Sequence, residues 1–241
     1  MKLLKSITVL IFLLSTTLVS AQWGKSKKIK GDGHITTTTI STTDYDAIST
    51  AGSMDFRLIK GKEGDISIKG DSNLMSYIVT EVKDNTLLVK IKKGYNLKPT
   101  QTIVITIPYE SINVVSLAGS GDVENTGTIK ANHFKVTLAG SGDIDLQIES
   151  KSIESSIAGS GDIELKGKTT NLKTTIAGSG DFDGDDLKST NVDATISGSG
   201  DISVHCSGEL KVRISGSGDV KYSGKPIHKD TKISGSGSVS N

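Results

Sequence analysis

Two apolar columns run down the second half of the chain, always the same distance apart. One holds Leu117, Leu138, Ile157, Ile176, Ile196, Ile214 and Ile233, the other Val123, Ile144, Ile163, Phe182, Ile202, Val220 and Val239. Between them stands Gly-Ser-Gly-Asp, intact from Gly119, Gly140, Gly159, Gly178, Gly198 and Gly216 and altered at Gly235-Ser236-Gly237-Ser238, with starts 21, 19, 19, 20, 18 and 19 residues apart. Four residues ahead of the first column come Phe134, Ile153, Leu172, Val192 and Leu210, and two ahead the smaller Val136, Ser155, Thr174, Ala194 and Val212. Period-two alternation puts all of these on one face. A unit of about 19 residues cannot bury such a face alone, so units must stack, with strands of successive coils about 4.8 Å apart. The pattern predicts an all-β fold, a parallel β-helix (β-solenoid) of about 19-residue coils. The glycines then mark a corner with positive φ or close approach between coils, and serine and aspartate bond the amides of their own turn.

Upstream the texture is also β but irregular. Thr36 to Ser41, Met54 to Lys60, Asp65 to Lys69, Ile78 to Lys83, Thr86 to Lys92 and Gln101 to Ile107 alternate or are rich in branched residues. Asp84-Asn85 reads as a tight hairpin turn, and Asp71-Ser72-Asn73 as the cap of a helical turn through Leu74 and Met75. Ala51-Gly52-Ser53-Met54-Asp55-Phe56 is a worn repeat, so the solenoid is expected to begin there, with irregular first rungs carrying the hairpin and closing the open end.

Charge and composition narrow the class. Residues 1–21 have the form of a secretory signal, with Lys2 and Lys5, an apolar run from Ile7 to Leu14, and Val19-Ser20-Ala21 for cleavage. The organisation expected is a signal peptide at 1–21, a basic arm and first strand at 22–43, an irregular β region at 44–116 and the regular helix at 117–241. Export is expected, to the periplasm, the outer membrane or the medium, with no integral membrane span once the signal is removed. The chain carries +1 overall, but six lysines fall in the first thirty residues, leaving 22 basic against 27 acidic groups downstream. Lys25, Lys27, Lys28 and Lys30 read as a solvated, disordered terminus, and no basic cluster on the repeats suits nucleic acid. Cys206 stands alone, which excludes an intramolecular disulfide, and alternation turns it inward with Ile202 and Val204. The four histidines occupy unrelated repeat positions and do not have metal-site spacing.

The candidate chemistry lies beside the motif. Stacking aligns Asp122, Asp143, Asp162 and Asp181, and two residues further Glu124, Asp145, Glu164 and Asp183 share their face. Neighbouring carboxylates about 5 Å apart repel by about 1 kcal/mol even in a water-like dielectric. Solvent, turn amides or a bound cation must relieve that. The cation reading makes these eight residues a calcium stripe, since hard cations favour carboxylate and carbonyl oxygens. An enzymatic reading, a polysaccharide lyase or hydrolase using a pair such as Asp143 and Asp145, conflicts with the repetition of the pair in coil after coil. The outward hydroxyls Thr137, Ser156, Thr175 and Thr195 form a further column, broken by Arg213 and Lys232.

The segment Glu81 to Ile91, the segment Ile103 to Pro108, and the Gly-Ser-Gly-Asp ladder closing on Val220-Lys221-Tyr222-Ser223-Gly224-Lys225-Pro226 together resemble the head GIN domain family of auto-transporter adhesins, found largely in Bacteroidota. The likeness spans roughly Asp44 to Ile227. It implies an all-β fold with β-helical repeats, a cell-envelope setting and no catalytic residue to carry over. An auto-transporter needs a C-terminal barrel of amphipathic strands, and this sequence ends at Asn241 directly after the last repeat. The function expected is a non-catalytic envelope module that adheres to a glycan or a surface protein, without a cofactor unless the stripe takes calcium. Self-association through the C-terminal coil is also expected, because its edge is open.

Overall fold

Each coil closes because its strands alternate buried and exposed side chains with few interruptions. The computed structural model describes residues 26–241; the signal-peptide reading falls outside them. In the strands Ile144–Gly159, Ile163–Gly178 and Phe182–Gly198 the inward residues are almost all aliphatic and the outward ones polar. Breaks in the pairing divide the coils into two or three paired segments, such as Ile163-Glu164, Gly167 to Thr169 and Asn171 to Gly178. Each segment pairs in parallel with its counterpart in the next coil, giving a β-solenoid of about seven turns from residue 114 to 240. Ile157, Ile176, Ile196, Ile163, Phe182 and Ile202 lie in the shared interior, each at most 1% exposed. Full burial of one such side chain is worth about 1.5–3 kcal/mol, so stacking holds the coils together.

The unequal repeat lengths are absorbed away from the motif. Gly178 pairs with Gly198 in register, while the extra residue of that coil enters at a shift between Glu164 and Gly167. The following coil shifts between Gly184 and Lys188, again leaving the glycines aligned. One corner is therefore constant and another takes up insertions.

The worn repeat is a true coil. Gly52 stands opposite Gly119, and Phe56 opposite Val123. Below it the order of strands departs from the order of sequence. Ala47–Gly52 lies between Val114–Gly119 and Thr86–Ile91, while Asp55–Lys60 lies between Val123–Thr126 and Val104–Tyr109. Antiparallel strands close this end: Ile78–Lys83 against Thr86–Ile91 through the Asp84-Asn85 turn, and Asp65–Asp71 against both Val104–Tyr109 and Ile35–Ser41. Asp84 and Asn85 have φ of 49° and 56°, the left-handed pair that a two-residue hairpin of the type I′ class requires.

Two expectations change here. Lys27–Lys30 is a strand and not a disordered arm, paired in parallel with Tyr95–Lys98 and tucking Ile29 against the core. The helical turn at Ser72–Tyr77 is present as a 3-10 helix, but Asp71 does not cap it through its side chain. The Asp71 carboxylate turns to the terminal segment instead. It accepts the Gly33 amide at 2.7 Å, the Thr100 amide at 2.8 Å and the Thr100 hydroxyl at 2.7 Å. Burial alone would raise this carboxyl. The bonds from Thr100 and Gly33 outweigh it and hold the group below the ordinary carboxylate range.

Candidate functional site

The corner owes its two glycines to close approach. Gly159 has φ of 136°, and a Cβ there would strike the carbonyl of Gly140 in the coil below; one on Gly161 would strike that of Gly142. With no side chain in the way, the backbones are stitched together. The amides of Ser160 and Gly161 both donate to Gly140 O, at 2.9 and 3.1 Å, and the pattern recurs at Ser141 with Gly142 and at Ser179 with Gly180. The serines between the glycines are exposed in every coil, from Ser53 and Ser120 to Ser217 and Ser236.

The aspartates are spoken for. Asp143 N donates to Asp122 Oδ1 at 3.1 Å and Asp162 N to Asp143 Oδ1 at 3.1 Å. Asp181 N, Asp201 N and Asp219 N then donate to the carboxylates of Asp162, Asp181 and Asp201, each at 2.7 Å. Each carboxylate thus bonds the amide of the next coil and not its own turn, which corrects the expectation from turn chemistry. At the altered last repeat, Ser238 supplies both amide and hydroxyl to Asp219 Oδ1, at 2.7 and 2.9 Å. The amides relieve part of the repulsion that the sequence pattern demands.

The second acidic column is answered by side chains. Glu124 meets Arg57 at 2.7 Å, and Lys166 bridges Glu164 at 2.7 Å and Asp145 at 3.3 Å. Those carboxylates hold the Lys166 ammonium above its ordinary range, Glu164 first. Asp183 accepts the amide of Asp185 at 3.0 Å. In the worn repeat, Asp55 is half-buried, and burial followed by the charge of Asp122 pushes its carboxyl up. The structure therefore brings all eight candidate residues into two columns on one face, each with a partner inside the chain. Among the described residues no three His, Cys, Asp or Glu side chains are grouped as a metal site. Cys206 is buried, its thiol near Thr190 O and Glu209 O at 3.4 and 3.3 Å, and burial raises it.

Two grooves stand out on the surface. One, about 340 Å³, follows a corner lined by Glu154, Lys173, Asp193 and Lys211, where Lys211 and Asp193 already pair at 3.0 Å. The other, about 520 Å³, runs where the Gly-Ser ridge meets the cap. Gly52, Gly119 and Gly140 line it with Ser53, Ser120 and Ser141, and Ile91, Tyr95 and Asn96 form the facing wall. Tyr95 is braced by Tyr77, ring centroids 4.7 Å apart and tilted by 51°. Among the described residues no acidic, basic or histidine side chain lines this groove. It is built from the hydroxyls of the ridge and an aromatic strand of the cap, a combination invisible without knowing that residues 95–98 reach the first coils. Among the described residues no helix is long and apolar enough to cross a membrane.

Residues 44–226 match the family described as "Putative auto-transporter adhesin, head GIN domain". No curated protein matches the chain. Among solved structures, a protein from Parabacteroides distasonis described as a putative lipid binding protein is 30% identical, with a TM-score of 0.75 over 89% of this chain and 99% of its own. A putative adhesin from Bacteroides fragilis is 24% identical, with a TM-score of 0.83 over 88% of this chain and 99% of its own. A second Parabacteroides distasonis protein, a putative adhesin, is 25% identical, with a TM-score of 0.72 over 89% and 99%. This chain, with its glycine-stitched corners and its coils in register from Gly52 to Gly235, belongs to the head GIN domain family of auto-transporter adhesins, a family of surface or exported proteins.

Proposed function

We propose that this protein is a non-catalytic adhesive module of the cell envelope that binds a neutral glycan in the groove between the Gly-Ser ridge and Tyr95. The observation that carries the reading is the lining of that groove: hydroxyls and backbone on one side, an aromatic ring on the other, and no charged side chain among the described residues. A sugar presents the matching surface, with hydroxyls that donate and accept and an apolar ring face that packs on an aromatic side chain. The ridge hydroxyls repeat every ~4.8 Å, which suits a chain of sugar units better than a single one. The acidic columns support a non-catalytic role, because their carboxylates are engaged by amides, Arg57 and Lys166 and the pair recurs in coil after coil.

A glycan array probed with the protein tests the reading, together with incubation of any bound polysaccharide to look for chain cleavage. Retention of neutral polysaccharides without cleavage, lost in Tyr95→Ala, is the expected result. Binding that survives Tyr95→Ala, or shortening of the polysaccharide, contradicts it. The description of the Parabacteroides relative as a putative lipid binding protein favours a second reading, an apolar ligand against Ile91 and Tyr95. Retention of fatty acids but no glycan selects it.

A further inference from the structure

The capped end carries a concentration of positive charge that the fold leaves without partners. Lys27–Lys30 pairs with Tyr95–Lys98 so that Ile29 stands opposite Leu97, and Lys30 directly opposite Lys98. Ile29 and Leu97 turn in, Leu97 being buried and Ile29 packed against the core. Alternation then puts Lys28, Lys30 and Lys98 together on the outer face. Lys92 and Lys93, both exposed, lie in the turn that leads into Tyr95, and Lys27 stands opposite Tyr95. Like charges directly opposite one another on paired strands are destabilising. Among the described residues none of these six lysines forms an ion pair, whereas Lys130, Lys166, Lys168 and Lys211 on the ladder all do.

Nor is the arrangement free to spread the charges apart. Lys27 N donates to Gly94 O at 2.7 Å and Gly31 N to Lys98 O at 2.9 Å. Asn73 Nδ2 holds Lys30 O at 2.8 Å, and Asp71 holds Gly33 and Thr100 from beneath. A Cβ on Gly31 would run into the Asp71 carboxylate, so the segment is seated against it. The nearby acid Asp32 is occupied by the Ser72 hydroxyl at 2.7 Å and the His34 amide at 2.9 Å. The result is a lysine plate on a fixed backbone: Lys28, Lys30 and Lys98 on one face, Lys27, Lys92 and Lys93 close by, and no arginine.

We propose that this lysine plate seats the capped end of the solenoid on a bilayer surface rich in anionic lipid. Compact, strongly hydrated ammonium groups suit the diffuse field of such a surface, where no planar, bidentate partner needs to be gripped. Charge complementarity is the argument for this occupant: lysines on one face, unpaired among the described residues, meet an anionic surface. The inference stands independently of what fills the groove beside Tyr95.

Vesicle co-sedimentation of the full chain tests it, with phosphatidylcholine alone and with about one-third phosphatidylglycerol, at low and high salt. Each lysine near an anionic surface contributes enough for about a fivefold change in affinity, so removing three is expected to cost about a hundredfold. The expected outcome is a preference for the anionic vesicles that high salt abolishes and that the triple variant Lys28→Glu/Lys30→Glu/Lys98→Glu lacks. The same charge change on the ladder, Lys135→Glu/Lys151→Glu/Lys173→Glu, is expected to keep at least most of that preference. If the first triple variant does not melt cooperatively, Lys28→Gln/Lys98→Gln replaces it, with a proportionately smaller loss. Equal binding to both vesicles, undiminished binding by the plate variants, or equal loss in the two triple variants overturns the proposal. So does retention by duplex DNA or polyphosphate without retention by vesicles.

Discussion

The ladder and the cap are built from the same kind of strand, yet they hold together in different ways. On the ladder every coil meets its neighbours in sequence, and the same contacts recur: a glycine carbonyl with one or two amides above it, a carboxylate with one amide above it, an aliphatic on an aliphatic. In the cap, Lys27–Lys30 meets Tyr95–Lys98, and the coil at Ala47–Lys60 is inserted between strands that precede and follow Val114. Its polar contacts are single events, among them buried Asp71 and the Tyr45 hydroxyl donating to Pro108 O. A ladder tolerates the loss of one unit because its energy is spread over like interfaces. A cap made of singular contacts depends on each of them.

The sharpest way to break this contrast lies in the corner. Gly159→Ala forces a Cβ into Gly140 O at a φ that side chains rarely adopt, and is expected to cost about 3 kcal/mol or more in denaturant unfolding. A loss below about 1 kcal/mol would mean that the coils separate easily. Next comes the cap. Asp71 has its carboxyl held below the ordinary range, so it stabilises the fold fully above the unfolded value near ~3.9. That contribution disappears as pH falls from there through the depressed folded value. Asp71→Asn is expected to melt lower at neutral pH, to lose less stability on acidification than the parent, and to expose the amides of residues 27–33 and 95–101 to hydrogen exchange. Parallel melting curves for the two proteins across acid pH would remove Asp71 from the account.

The smallest effect sharpens the picture of the ladder interior. Ser155 Oγ and Thr174 Oγ1 stand opposite one another in register, buried without hydrogen-bond partners. Thr174→Val keeps the shape and removes the lone hydroxyl, so thermal melting should show a gain of about 1 kcal/mol. A loss would show that the hydroxyl is satisfied in solution.

The sequence made the ladder legible because each residue's spatial neighbour recurs at one offset. The columns from Leu117 and Val123, the worn coil at Gly52, the turn at Asp84-Asn85 and the inward Cys206 could all be read that way. What escaped was whatever depends on a partner at no fixed offset. Lys27 to Lys30 looked like a solvated tail because nothing local marks Tyr95 as its neighbour. Asp71 looked like a helix cap because the sequence places Ser72 and Asn73 next to it, while Gly33 and Thr100 are distant in the chain. The aspartate ladder was visible as a column, but its amide partners belong to the next coil, and a local turn rule points to the wrong amide. Lys166 pairs with Glu164 two residues away and with Asp145 one coil below, and the second partner is not marked by any local pattern.

Those contacts engage the glycines and aspartates of the Gly-Ser-Gly-Asp motif in scaffolding, while the proposed glycan groove draws on its serines. Titration of a neutral polysaccharide retained on the array into two single variants separates these roles. Asp162→Asn, which weakens the charge-assisted bond to Asp181 N, is expected to bind like the parent while losing about 1 kcal/mol of stability. Tyr95→Ala is expected to lose at least about tenfold in affinity, the loss of one aromatic contact of about 1.4 kcal/mol. Unchanged affinity in Tyr95→Ala together with lost affinity in Asp162→Asn would contradict the account and return the function to the acidic columns.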